Sequence, residues 1–157
     1  MKYRYYNSPI GRLLIAGKNG VLHYLSFPNG RMNREPEHSW EEDKEVFPEA
    51  IQQLTEYFEG ERDCFDLKLH FQGTCFQEEV WCALQQIPYG ETVSYSELAK
   101  RIGRARASQA VGSANAANPL PIIIPCHRVI SKSGALSGFG GGVETKIFLL
   151  KLEGSWI

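Results

Sequence analysis

The sequence predicts an α+β protein in two parts, a small N-terminal α+β module over residues 1–70 and a mostly helical part over residues 71–157. Three observations predict it. Short apolar blocks near the N-terminus are separated by a hairpin turn signal. A single helical stripe follows them. Beyond residue 74, helix start and stop signals recur.

Residues 3–27 read as strands, with Leu13-Leu14-Ile15-Ala16 and Val21-Leu22-His23-Tyr24-Leu25 flanking the turn Lys18-Asn19-Gly20. The acidic stretch from Glu35 to Glu49 reads as a solvated loop running into a helix. Pro48 stands where that helix begins; Phe47, Ile51, Leu54 and Phe58 form its apolar stripe, and Gly60 stops it. Phe65, Leu67 and Leu69 alternate with polar residues, as in a half-buried strand. Nothing catalytic is visible in this module.

In the second part, Thr74 and Gln77 fit a capping box, Val80, Leu84 and Ile87 give the buried stripe, and Pro88 and Gly90 end the helix. Ser94 with Glu97 forms a second capping-box pattern, opening a short helix to Ile102 that Gly103 breaks. Another helix runs from about Ser108 to Ala117, ended by Asn118-Pro119. Two short helices joined by a Gly-containing turn suggest a helix-turn-helix. The second helix is mostly small residues (Ala110, Gly112, Ser113, Ala114, Ala116), which suits either tight internal packing or close docking in a narrow DNA groove. Ile122-Ile123-Ile124 reads as a short buried strand or extended segment.

Hydrophobic content of 43% and charged content of 22% are ordinary for a soluble globular chain. No long apolar stretch follows the N-terminus, so no signal peptide and no membrane span are expected. Cys64, Cys75, Cys82 and Cys126 make no C-x-x-C pair and have no His at zinc-ligand spacing, so free thiols in a reducing cytoplasm and no metal are expected. The net charge of −1 does not announce a DNA binder, but it is unevenly spread: residues 1–70 carry −3 and residues 71–157 carry +2. The bases cluster at Lys100, Arg101, Arg104 and Arg106, which suits either an ordinary solvated charge patch or an anionic partner bound on the C-terminal half.

The chemistry concentrates in Pro125-Cys126-His127-Arg128-Val129. A thiol is a poor nucleophile until deprotonated, and a nearby imidazole or cation lowers that barrier. On an extended chain adjacent side chains point apart, so a water is expected to relay the proton between Cys126 and His127. From Cys-His alone, a buried structural cysteine beside a surface histidine is the better fit.

The pentapeptide, preceded by Asn118-Pro119 and three isoleucines, resembles the signature of the O6-alkylguanine-DNA alkyltransferases. The resemblance extends through Gly90-Glu91-Thr92-Val93-Ser94-Tyr95 and Ala110-Val111-Gly112 to Lys146 and Glu153, and so covers residues 74–154. The N-terminal module resembles the family in layout only. The resemblance implies a ribonuclease H-like N-terminal module and a winged-helix-like helix-turn-helix domain. It also implies a monomer that needs no cofactor, binds the minor groove of DNA carrying an alkylated guanine, and flips the damaged base into a pocket. Cys126 would accept the alkyl group, His127 would withdraw its proton through water, and Glu153 would orient His127. Tyr95 would donate a proton or hydrogen bond to the leaving guanine. Its neighbour Ser94 would be among the phosphate contacts that help rotate the nucleotide. Asn118 would tie the recognition helix to the Cys126 segment, and Arg128 would be structural or phosphate-facing.

Two positions depart from the family pattern. Gln109 stands where members usually carry an arginine inserted into the base stack; it lacks the charge and the stacking plane, so weaker duplex binding or slower flipping is expected unless Arg104 or Arg106 compensates. Gly140 replaces a hydroxyl-bearing residue of the pocket loop, within Gly138-Phe139-Gly140-Gly141-Gly142, and its backbone N–H would serve the guanine oxygen in a roomy loop. Three rival readings remain on the residues. An alkyltransferase-like protein that senses the lesion would lack the acceptor thiol. A Cys-His hydrolase would need an oxyanion hole that the sequence does not signal. A helix-turn-helix regulator would need more base-reading side chains than Gln109, Asn115 and Asn118 supply. O4-alkylthymine is a second candidate substrate beside O6-alkylguanine.

Overall fold

The computed structural model of the chain describes residues 1–29, 33–131 and 142–155. Three antiparallel strands, β1 (Lys2–Ser8), β2 (Gly11–Lys18) and β3 (Val21–Ser26), follow one another as hairpins. Asn19 and Gly20 close the second hairpin with φ of 54° and 76°, the left-handed pair that matches strand twist. The acidic loop contributes more than a solvated surface. Glu41–Glu42 forms β4, which pairs parallel to β1 and gives the sheet order β3-β2-β1-β4.

Helix α1 (Pro48–Phe58) starts at the expected proline. It ends in a Schellman motif: Gly60 N–H donates to the Tyr57 carbonyl and Glu61 N–H to the Glu56 carbonyl, with Gly60 at φ 76°. Leu54 and Tyr57 are fully buried on its inner face. The expected strand over Phe65–Leu69 does not form. The segment meets β3 at one bridge, Leu22 with Leu69, because Leu22 alone exchanges bonds with it, through the Lys68 carbonyl and the His70 N–H.

In the helical part, α2 (Cys75–Leu84) carries the complete Thr74–Gln77 capping box, an arrangement that contributes about 1 kcal/mol. Helix α3 (Tyr95–Arg101) carries half of one. The Ser94 hydroxyl accepts from Glu97 N–H, while the Glu97 carboxylate faces Arg101 at 3.5 Å instead of reaching back. Helix α4 (Ser108–Ala116) packs on α2 and α3, with Val111, Ala114 and Asn115 buried; Trp81 donates its indole N–H to the Ala114 carbonyl at 2.8 Å. Its exposed face carries Gln109, Ala110, Ser113 and Ala117. Among the described residues, the remaining elements are β5 (Val93–Ser94), a 3-10 turn (Cys126–Arg128), β6 (Val129–Ile130) and α5 (Val143–Leu152). The parallel β5–β6 pairing sets the start of α3 beside the Cys126 turn.

The triple isoleucine is neither strand nor extended. Ile124 N–H donates to the Leu120 carbonyl at 2.8 Å, and Ile122 sits at φ 75°, a left-handed conformation that costs a β-branched residue. Burial of Ile122 and Ile124 and the side chain of Asn118 hold that turn closed. One apolar cluster runs from Leu13, Ile15 and Leu25 of the sheet through Leu54 and Tyr57 to Val80, Leu98, Val111 and Cys126. Leu25 N–H also donates to the Pro119 carbonyl at 2.9 Å, so the strands reach the segment that precedes the cysteine.

Candidate active site

Cys126, His127 and Arg128 form one buried 3-10 turn held by Arg128 N–H on the Pro125 carbonyl. Asn118 braces the turn from its N-terminal side. Its amide donates to the Ile124 carbonyl at 2.7 Å, and its side-chain oxygen accepts from Leu120 N–H at 2.9 Å. Asn115 braces it from α4, donating to the Cys126 carbonyl at 3.2 Å. A carbonyl only accepts, so this bond fixes the Asn115 amide and leaves its Oδ1 buried without a partner among the described residues.

Glu153 caps α5 and enters the same interior. Its Oε2 lies 2.7 Å from His127 Nε2, both side chains fully buried. Arg128 binds the carboxylate with two nitrogens, Nε at 2.8 Å from Oε1 and Nη2 at 3.1 Å from Oε2, while its Nη1 donates to the Ile87 carbonyl at 2.7 Å. Burial works to raise the Glu153 carboxyl, but the hydrogen bonds from His127 and Arg128 outweigh it and hold it at about 2. Glu153 is therefore an anion that can only accept, so His127 carries its proton on Nε2. Burial lowers the His127 imidazole below its ordinary value against the pull of Glu153. The resting ring is neutral, with a lone pair on Nδ1, and Nδ1 is buried without a partner among the described residues.

The thiol itself is fully buried, and burial pushes it up to about 11 against a hydrogen bond from Asn118 and the nearby Lys146 cation. At neutral pH it is a thiol, not a thiolate, and needs a base. Lys146 of α5 is fully buried and donates to the Val129 carbonyl at 2.6 Å; burial lowers it to about 8, against the pull of Cys126. The Tyr95 ring lies over α4 at Gly112, where a β-carbon would meet it at 3.8 Å. Burial, and next the proximity of Cys126, raises its phenol, so it remains a proton donor.

The structure thus brings Cys126, His127, Glu153, Arg128, Asn118 and Tyr95 together. Arg128 does not face a phosphate: its guanidinium is spent on Glu153 and Ile87 inside the protein. The Ser94 hydroxyl is spent on the α3 cap and on Ser96. Arg104 and Arg106 are exposed in the turn between α3 and α4, but Arg104 is already paired with Glu79 at 3.5 Å. Gln109 is exposed on α4, and Gly140 lies outside the described residues. Reasoning from sequence missed Asn115, Lys146 and Tyr57 as members of the interior. The signal for Lys146 was a lysine facing into Ile147-Phe148-Leu149-Leu150; for Tyr57 there was none.

A single buried cysteine beside a neutral, carboxylate-oriented imidazole, seated under two short helices joined by a tight turn, is an arrangement suited to nucleophilic chemistry in a helix-turn-helix domain. Residues 1–71 match the family model for the 6-O-methylguanine DNA methyltransferase ribonuclease-like domain, and residues 75–155 that for the DNA binding domain of the same enzymes. The chain belongs to the 6-O-methylguanine DNA methyltransferase family. It is 52% identical over 155 residues to the methylated-DNA–protein-cysteine methyltransferase of Methanosarcina acetivorans, covering 99% of both chains. It is 49% identical over 153 residues to the Mycobacterium tuberculosis protein of the same name, covering 98% of this chain and 92% of that one. The solved structure of Mycobacterium tuberculosis OGT in complex with DNA superposes with a TM-score of 0.93 at 48% identity, covering 99% of this chain and 94% of that one.

Proposed function

We propose that this protein repairs DNA directly, moving the alkyl group of an O6-alkylguanine onto Cys126 once per molecule. The observation that carries the reading is the His127–Glu153 pair beside the buried thiol. Glu153 fixes the imidazole with Nε2 protonated and leaves Nδ1 as the base. His127 Nδ1 takes the Cys126 proton through one bridging water, and the thiolate attacks the alkyl carbon. The carbon–oxygen bond breaks toward the guanine, which leaves as its oxyanion and receives a proton, with the Tyr95 hydroxyl as donor. The imidazolium is stabilised by Glu153. The product is a thioether, and no group among the described residues is placed to hydrolyse it, so the protein is consumed.

The alkyl carbon of a paired guanine is out of reach inside a duplex, so the nucleotide is flipped. The exposed face of α4, with Ala110, Ser113 and Ala117, suits close approach to a narrow minor groove, with Gln109 at the position of the extruded base. The protein is proposed to act as a monomer, since each step uses groups of one chain. The two parts of the chain are proposed to divide near residues 70–75, the first supporting the second. A lesion sensor without transfer is the lesser reading, because the acceptor thiol and its base are both present.

Intact-protein mass spectrometry after incubation with an oligonucleotide holding one O6-methylguanine tests this. A gain of one methyl group in the wild type and none in Cys126→Ala is expected. Lesion-dependent binding with no mass gain would make the protein a sensor.

A further inference from the structure

We propose that Tyr57, supplied by α1 of the N-terminal part, is a positioning residue for alkyl transfer: its hydroxyl donates to the same Glu153 oxygen that holds His127 and thereby sets how tightly the imidazole is gripped. The inference rests on the reading of Cys126 as alkyl acceptor and gives the N-terminal part a place in its chemistry.

The Tyr57 hydroxyl lies 2.6 Å from Glu153 Oε2, across 96 residues of sequence, and its side chain is fully buried. Burial, reinforced by the Glu153 charge, holds the phenol far above its ordinary range, so it is always protonated and donates. Phe58, Phe65 and Tyr89 surround its ring at centroid distances of 5.3, 5.4 and 6.3 Å, which fixes the direction of the hydroxyl.

The carboxylate then receives four donors, about the number its lone pairs accept: Tyr57 O–H and His127 Nε2–H on Oε2, Arg128 Nε–H on Oε1, and Arg128 Nη2–H on Oε2. Arg128 is also bound to the Ile87 carbonyl and cannot shift to cover a lost donor. Tyr57 and His127 therefore share Oε2, with Arg128 Nη2 as its third donor. Removing the Tyr57 hydroxyl leaves more negative charge facing His127 and makes its ring more basic; strengthening that donor does the reverse. The other charged or titratable groups near the pair are Arg128 and Cys126 from the 3-10 turn, Lys146 from α5, and Tyr89 with Asp63 behind it. None of these is altered when Tyr57 is changed.

The test compares full-length wild type, Tyr57→Phe and Leu54→Val, the last a buried α1 residue with no polar group to offer Glu153. Two readouts are taken over roughly pH 5 to pH 9, the range where a histidine titrates. One is the single-turnover rate of methyl transfer from an O6-methylguanine oligonucleotide. The other is the nitrogen resonances of the His127 ring. Tyr57→Phe is expected to move both the acid limb and the His127 titration to higher pH by roughly one unit, the order of one hydrogen bond to a charged group. Replacing Tyr57 with 3-fluorotyrosine, a stronger donor, should move the His127 titration to lower pH and serves if the phenylalanine variant does not fold. Leu54→Val should lose stability and move neither profile. An unmoved His127 titration in both Tyr57 variants, or an equal shift in Leu54→Val, overturns the proposal. If the wild type transfers nothing, the reading of Cys126 fails, and the His127 titration still decides the role of Tyr57.

Discussion

His127 Nε2 lies 2.7 Å from Glu153 Oε2, with both side chains sealed from solvent, and this one contact decides which nitrogen of the ring is free to take a proton. The rest of the interior supports it. Arg128 neutralises the carboxylate, Asn118 and Asn115 fix the turn that carries the thiol, and Lys146 brings a positive charge near the sulfur.

Glu153→Gln should therefore fail twice. An amide at that position can donate to the ring and force the proton onto Nδ1, which removes the base. It also leaves the Arg128 cation buried and unpaired, which costs about 3–5 kcal/mol of stability. Methyl transfer should fall by about a hundredfold or more in whatever fraction stays folded, the scale of a misplaced general base. Quenched-flow rates with a parallel urea titration separate the two losses; transfer within a few-fold of wild type would remove Glu153 from the mechanism.

Acid should weaken the fold in a defined window. The Glu153 carboxyl drops from its ordinary 4.5 to about 2 in the folded chain, so its contribution is complete above pH 4.5 and lost as pH falls toward 2. His127, lowered by burial from its ordinary 6.5, acts in the same sense, since the unfolded chain binds its proton first as pH drops. Urea midpoints should fall steadily with acid in the wild type, and Glu153→Gln should lose the part of that slope below pH 4.5. Parallel slopes in the two proteins would contradict the assignment.

Asn118→Asp keeps an acceptor for Leu120 N–H but sets a carboxylate against the Ile124 carbonyl and beside the thiol. It should destabilise the turn by about 1–3 kcal/mol, the cost of a buried unpaired group. It should also raise the thiol further and slow transfer at neutral pH. The pH dependence of the rate checks this, and an unshifted alkaline limb would count against it.

On the DNA side, Gln109 is exposed on α4, and the bases in and near the preceding turn are partly neutralised, Arg101 by Glu97 and Arg104 by Glu79. Gln109→Arg should tighten duplex binding and steepen its dependence on log salt by about 0.9, one added phosphate contact. Fluorescence anisotropy over a salt series measures both, and an unchanged affinity and slope would show that α4 does not present this position to DNA.

Much of this was legible in the sequence, and the failures have physical causes. The second hairpin and the α2 cap rest on local turn and capping chemistry, so Asn19-Gly20 and Thr74–Gln77 announced themselves. Cys126 and His127 stood out as an adjacent thiol and imidazole, but Glu153 was named through resemblance, since no spacing rule predicts that residues 26 apart share a hydrogen bond. Helix α5 was missed because it shows no clean polar face: Lys146 points into the core that Leu149 and Leu150 also fill. The isoleucine run was misread because tertiary burial outweighs the strand preference of a β-branched residue and holds Ile122 at φ 75°. Arg128 and Tyr57 gave no local sign, since their partner lies at the far end of the chain.

The most direct test of the central claim uses the other three cysteines as internal controls. Cys64, Cys75 and Cys82 are exposed, while Cys126 is buried. After exposure to excess O6-methylguanine oligonucleotide, peptide mass spectrometry should find one methyl per chain, all of it on Cys126, with uptake ending there. Methyl groups on the exposed thiols, or more than one lesion cleared per chain, would contradict a single-use acceptor activated by His127 and Glu153.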